Sequence, residues 1–190
     1  MKDPSEKLID QLISSQATKI VIWGPPTSGK SLTTFLISKQ LGIKTIVYSD
    51  DYLSWSPSNG WQYMDKSLFL QKVDPLIKNN KSWIVEGNLG EYISRKEMFG
   101  KADKIIILNP SYLRLFYRIF TRTISRNTRF KLGTQTTENA IILHKFTAKD
   151  LFFEVVDMIK TVINFKQSFI FDLLNLAGNK HEKSKFIIVN

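Results

Sequence analysis

Eight residues near the start of the chain have the types and spacing of a loop that binds phosphate. They read Gly24-Pro25-Pro26-Thr27-Ser28-Gly29-Lys30-Ser31, which fits the pattern G-x-x-x-x-G-K-[ST]. In such a loop the backbone N–H groups point at an anion, the lysine reaches the β- and γ-phosphates, and the last hydroxyl ligates Mg²⁺. The sequence therefore predicts a site for ATP with Mg²⁺, in which Lys30 contacts phosphate and Ser31 contacts the metal.

The segments on either side of the loop support this interpretation. Before it lies the short apolar run 19–23, which is typical of a buried strand, and after it apolar residues follow at helical spacing to Leu41. Strand, loop and helix in this order aim a helix N-terminus at an anion. The alternative is a turn that matches the pattern by chance, which this context disfavours.

Carboxylates follow the next two predicted strands. Asp50 and Asp51 follow the run 45–48 after one serine, and Glu86 is the next-to-last residue of the run 82–87. An aspartate there could orient Mg²⁺ through water, bind the acceptor, or take a proton from an attacking hydroxyl. Glu86 is predicted to bind the metal or the substrate. The alternatives are helix capping for the aspartates and a solvent-facing strand end for Glu86.

The arginines are confined to one stretch, and no acidic residue occurs from Lys104 to Thr137. Six are present: Arg95, Arg114, Arg118, Arg122, Arg126 and Arg129. Four of them recur every fourth residue from 114 to 126, which places them on one face of a helix. Because guanidinium groups hold phosphate oxygens bidentately, this ladder predicts an anionic ligand and a lid at about 127–147. The alternative is a basic face that pairs with acids from elsewhere in the fold.

Composition and patterning indicate one α/β domain over residues 1–190. Strands and helices alternate, and the near-continuous apolar strands are typical of a parallel sheet covered on both faces. There is no cysteine, which excludes disulfides, and no signal-peptide pattern or membrane-length apolar run, so we expect a cytoplasmic protein without a membrane partner. The net charge of +10 is compatible with nucleic acid as a partner.

The remaining elements are predicted from periodicity and from turn residues. We expect an N-terminal helix from Asp3, an ordered aromatic loop over 53–64, helices over 65–78 and 91–99, and a strand over 104–108. A long helix is predicted from Tyr112 to Arg126, then a helical stretch to Leu176 with a break between 160 and 167, and a last strand over 185–189. The helix after the loop is expected to stop at Gly42.

Taken together, residues 18–130 resemble the adenylate-kinase-like P-loop kinases, and among them the group labelled DNA topology modulation proteins. The resemblance rests on Gly24–Ser31, on Asp50-Asp51 followed by Trp55 and Pro57, on 83–88, on Arg95 ahead of Ala102-Asp103, and on Tyr117-Arg118-x-x-x-Arg122. It implies a five-stranded sheet of order 2-3-1-4-5. It also implies that Arg95 contacts the substrate phosphate, and that Arg118 and Arg122 contact the base and phosphates of ATP. We add Arg126 to the predicted substrate-binding residues.

Two classes of function follow from these features. The first is a phosphotransferase that moves the γ-phosphoryl of ATP to a nucleotide or similar small phosphorylated or hydroxylated acceptor, with Lys30, Asp50, Asp51, Arg118 and Arg122 as catalytic residues. A 5′-hydroxyl of a polynucleotide is a variant of this acceptor. The second is an ATP-dependent nucleic-acid-binding or regulatory NTPase.

Overall fold

A computed structural model describes the backbone of residues 4–56, 60–87, 99–132, 148–176 and 184–190. It describes the side chains of the same residues, except those at 4, 5, 53–56, 60–63, 123–132, 148–151, 154 and 168–176.

Five parallel strands form the central sheet. They are β1 (Lys19–Trp23), β2 (Ile46–Tyr48), β5 (Trp83–Glu86), β6 (Lys104–Leu108) and β7 (Phe186–Val189), in the order β2-β5-β1-β6-β7. Counted along the chain within this sheet, the order is 2-3-1-4-5, as predicted. Because β1 lies at the centre, the loop that follows it opens at the middle of the sheet's carboxyl edge.

Helices cover both faces of the sheet, which confirms the α/β fold with flanking helices. On one face lie α1 (Pro4–Ser14) and α2 (Lys30–Leu41), whose Leu12 and Ile37 pack on buried isoleucines of β1, β5 and β6. The other face is covered by α3 (Lys66–Asn79), capped by Asp65, and is contacted by Phe165 of a later helix. Both faces are apolar because the strands alternate their side chains between two cores.

Two long helices complete the described fold. These are α4 (Tyr112–Leu132) and α5 (Ala148–Leu176), which meet through Leu115, Ile119 and Val162. The prediction that the last helical stretch breaks between 160 and 167 is wrong, because Val162 and Phe165 keep the buried stripe going and α5 is continuous. Helix α4 also continues past Arg126 to Leu132.

The segment predicted as an aromatic loop contains a two-stranded antiparallel hairpin instead. Strands β3 (Leu53–Ser56) and β4 (Gly60–Tyr63) pair with Trp55 opposite Trp61. The alternation of apolar and polar residues in Leu-Ser-Trp-Ser and Gly-Trp-Gln-Tyr is the signal that favours strands here.

Two predicted elements fall mainly on other parts of the chain. The helix predicted over 91–99 lies outside the described residues except for its last position, and most of the predicted lid, 133–147, lies outside them as well. Within the part of the chain that is described, no helix combines the length and the apolar character that a membrane crossing requires.

Candidate functional site

The octet at 24–31 lies between the end of β1 and the first turn of α2. Gly29 is the N-cap of α2, with a φ of 100°, a conformation that a side chain would strain. With no side chain, this cap leaves the first N–H groups of the helix without the hydroxyl or carboxylate acceptor that usually caps them. The sequence therefore builds a helix start whose donors are open to an outside anion.

Lys30 is half-buried above the loop, and its Nζ donates a hydrogen bond of 3.0 Å to the carbonyl of Pro25. Burial lowers its pKa below the usual lysine value. The negative charges of Glu86 and Asp50 oppose that shift, whereas the positive charge of Arg122 adds to it. The pKa of the Lys30 ammonium group is thus influenced by the charges of two carboxylates and one arginine.

Glu86 is buried, with 4% of its surface exposed, at the carboxyl end of β5 beside β1. The hydroxyl of Ser31 donates a hydrogen bond of 3.2 Å to its Oε2. Burial raises the pKa of the Glu86 carboxyl, the nearby Lys30 lowers it, and the charges of Asp50 and Asp51 raise it further. The interpretation of Glu86 as a solvent-facing strand end is therefore wrong.

Asp50 and Asp51 lie in a single 3₁₀ turn, Ser49–Tyr52, that directly follows β2. Both are exposed, and the Ser49 hydroxyl donates a long hydrogen bond of 3.4 Å to Asp50. Partial burial and the neighbouring Asp50 charge both raise the pKa of Asp51. Since β2 pairs with β5, this turn lies next to Glu86 on the edge that carries the loop.

The oxygen ligands at this edge suit a hard cation. Ser31 and Glu86 offer a hydroxyl and a carboxylate that already touch, and Mg²⁺ is usually held by one or two such protein oxygens together with phosphate and water. Within the described residues there is no group of three or more His, Cys, Asp or Glu that could hold a metal ion by itself. Ser31 and Glu86 could therefore hold a cation only together with ligands from outside this pair.

The arginine ladder divides into separate environments. Arg118 is half-buried, and its Nη1 donates to the carbonyls of Thr27 at 3.2 Å and Ser28 at 3.0 Å. Arg122 is exposed and acts electrostatically on Lys30, and Arg114 lines a cleft behind the loop. Hence the arginines that are spaced by four along α4 do not make equivalent contacts.

The cleft behind the loop has a volume of about 250 Å³. Helices α1, α2 and α4 and the ends of β6 and β7 form its walls, with Leu8, Ile9 and Leu36 as apolar surface. Its polar groups come from Ser28, Thr33, Arg114, Arg118 and Asn190. The Ser28 hydroxyl itself is buried and has no hydrogen-bond partner within the described structure.

Most of the predicted site residues lie together in the structure. Lys30, Ser31, Glu86, Asp50 and Asp51 share the carboxyl edge of β1, β2 and β5, and the other members of the octet form the loop itself. Arg95 and the side chain of Arg126 lie outside the described residues.

The sequence carries no motif that predicts the cleft. Leu8 and Ile9 look like ordinary apolar positions of an amphipathic helix, and Asn190 follows a strand without any motif. Leu8 and Ile9 are far from Asn190 in the chain, and they come together because α1 and the end of β7 pack against the same core.

Comparison with known proteins adds no family. The sequence matches no protein-family model, and no curated protein matches it either. What is established is an α/β fold whose sheet order is consistent with the topology of P-loop NTPases.

Proposed function

We propose that the protein is an ATP-dependent phosphotransferase of the adenylate-kinase-like P-loop type. It transfers the γ-phosphoryl group of ATP to a hydroxyl or phosphate oxygen of a nucleotide or a similar small acceptor. The single observation that carries this proposal is the placement of Lys30 at the loop, with Glu86 and Asp50 acting on its charge and the Ser31–Glu86 hydrogen bond beside it.

Phosphoryl transfer depends mainly on positioning and on neutralising charge. Lys30 would leave the Pro25 carbonyl and bind the β- and γ-phosphates, where Arg122 would add a second positive charge. Mg²⁺, bound by Ser31 and Glu86 together with the phosphates, would supply further charge neutralisation.

The aspartates would serve the acceptor. Asp50 or Asp51 would orient the attacking oxygen and, where that oxygen belongs to a hydroxyl, take its proton as the new P–O bond forms and ADP leaves. Their turn is exposed, so an acceptor can approach from solvent, and it lies next to Glu86 across the β2–β5 pair.

The cleft behind the loop would take the nucleoside of ATP. Its apolar wall suits a planar base, and the guanidinium groups of Arg114 and Arg118 suit stacking and the approach of phosphate. In this orientation the phosphates lead from the cleft over the loop toward Lys30, and the acceptor occupies the opposite side at Asp50.

The test is a panel of acceptors offered with ATP labelled on its γ-phosphate. Nucleoside monophosphates, nucleosides and 5′-hydroxyl oligonucleotides should be compared, with the Lys30→Met variant as the background. Label that reaches one acceptor class in the wild type alone supports the proposal. Release of inorganic phosphate only, with no labelled acceptor, would favour a hydrolase instead.

A nucleic-acid-binding role is the second candidate, and one surface favours it. On α4, Tyr117 and Phe120 are 70% and 62% exposed, and Arg114 and Arg122 are exposed on the same helix. Tyr117 follows Arg114 by three residues and Phe120 follows Tyr117 by three, so these side chains lie along one side of the helix. Such a row of rings and a guanidinium group suits the bases and phosphates of single-stranded nucleic acid. Binding of an oligonucleotide that weakens steeply with added salt would support this role, and binding without salt dependence would argue against it.

A further inference from the structure

The outer side of the phosphate loop is tied to α4 in both directions. From the helix, Arg118 Nη1 donates to the carbonyls of Thr27 at 3.2 Å and Ser28 at 3.0 Å. From the loop, the Thr27 hydroxyl donates to the carbonyl of Leu115 at 3.4 Å. Two side chains far apart in sequence thus fasten the same short stretch of backbone.

Thr27 needs such support. Its φ is +61°, in the left-handed region, where a β-branched residue is a rare exception. A residue holds this conformation only when its surroundings fix it. The contacts to α4 surround Thr27 on both its carbonyl and its side chain, and they account for the retained conformation.

The direction of these contacts matters for anion binding. In a trans peptide the carbonyl of one residue and the N–H of the next point in opposite directions. Since Arg118 holds the Ser28 carbonyl, the N–H of Gly29 points away from Arg118. Arg118 therefore acts on the back of the loop and fixes the direction of a donor on its front.

We propose that Arg118 and Thr27 form a latch through which α4 sets the conformation of the phosphate loop. Both are positioning residues in this role, and Arg122 on the same helix is the group whose charge reaches Lys30. This inference takes only one point from the proposed function, namely that the loop binds a triphosphate. It makes the loop's readiness to bind depend on where α4 lies.

Hydrogen exchange of the ligand-free protein tests the latch without any substrate. Arg118→Met and Thr27→Val should each speed exchange of the amides at 28–32 by roughly tenfold, because local opening no longer breaks these contacts. Thr27→Ser keeps the hydroxyl and should stay within about twofold of wild type. The double variant should exchange little faster than Arg118→Met alone, since the two contacts act as one unit.

Arg114→Met is the matched control. Arg114 lies one turn earlier on α4 and lines the same cleft, and loop exchange should be unchanged in this variant. Unchanged loop exchange in both single variants would overturn the latch, and so would faster exchange spread through β1 and β5. Inorganic tripolyphosphate should also bind several-fold more weakly to Thr27→Val than to Thr27→Ser. If no acceptor is ever phosphorylated, the proposed function fails while the exchange result still decides the latch.

Discussion

The Ser31 hydroxyl donates a hydrogen bond of 3.2 Å to Oε2 of Glu86, which joins the first turn of α2 to the carboxyl end of β5. This contact links the loop after the central strand to the neighbouring strand, at the edge where the aspartate turn also lies. It places the two predicted metal ligands within reach of one cation.

Replacing Glu86 by Gln removes the negative charge of the side chain and keeps its shape. The amide can still accept from Ser31, but the buried negative charge beside Lys30 is lost. We expect transfer with Mg²⁺ to fall by at least about 10- to 100-fold, because the loss of even an outer partner of a metal ligand costs that much. The transfer rate should be measured while Mg²⁺ is titrated at fixed ATP. If Glu86→Gln and the wild type require the same Mg²⁺ concentration, Glu86 is not a metal ligand.

Alanine at Asp50 and at Asp51 tests the acceptor side. Between them the two variants should lower the transfer rate by about 10²- to 10⁴-fold, the range for loss of a general base, while ATP still binds. The Asp74→Ala variant is the control, because this carboxylate pairs with Lys78 on α3, away from the loop. Wild-type transfer rates in both Asp50→Ala and Asp51→Ala would refute the assignment.

Gly87 occupies a conformation and a space that alanine does not fit. Its φ is +107°, and a Cβ there would overlap the Ser49 side chain. Gly87→Ala should destabilise the fold by about 2–4 kcal/mol, from the strained backbone and the overpacking together. Urea unfolding measures this loss. Adding Ser49→Gly should recover the overpacking part only, and full recovery would show that the backbone carries no strain.

Asp103 ties the start of β1 to the end of the helical turn before β6. Its Oδ2 accepts from the Thr18 and Lys19 N–H groups at 3.0 and 2.9 Å, and from the Thr18 hydroxyl. Partial burial would raise the pKa of Asp103, but these hydrogen bonds outweigh it and lower the pKa. The carboxylate thus stabilises the fold above the ordinary aspartate pKa, and this contribution is lost as pH falls through the lowered value.

The Asp103→Ala variant should therefore lose about 1 kcal/mol at pH 7, a modest figure because the group is exposed. The difference from wild type should shrink as the solution is acidified toward pH 3, near and below the ordinary pKa. Thermal unfolding at both pH values checks this. A stability gap that stays constant with pH would mean that the charge plays no part.

The sheet could be predicted from the sequence because each of its strands is a short apolar run next to a turn residue or an acid. The loop at 24–31 could likewise be predicted, because the residues before it have the pattern of a strand and the residues after it have the pattern of a helix. The acids at 50, 51 and 86 could be placed at one edge because parallel strands end together.

Other features depend on packing between distant segments. The spacing of Arg118 and Arg122 predicts one helix face, but only the docking of α4 on the loop directs Arg118 to the Thr27 and Ser28 carbonyls. The segment 53–64 is predicted as an ordered aromatic loop, whereas β3 and β4 form a hairpin there, for which Asn-Gly between alternating residues is the sequence signal.

Binding of Mg²⁺–ATP to the wild type and to Lys30→Met, measured by isothermal titration calorimetry, tests the central claim most directly. Lys39→Met, on the exposed last turn of the same helix, is the matched control. We predict that Lys30→Met weakens binding by about 10- to 100-fold, the value of hydrogen bonds to a charged group, whereas Lys39→Met binds as the wild type does. Equal affinity of Lys30→Met and the wild type, or no binding by the wild type, would contradict the account.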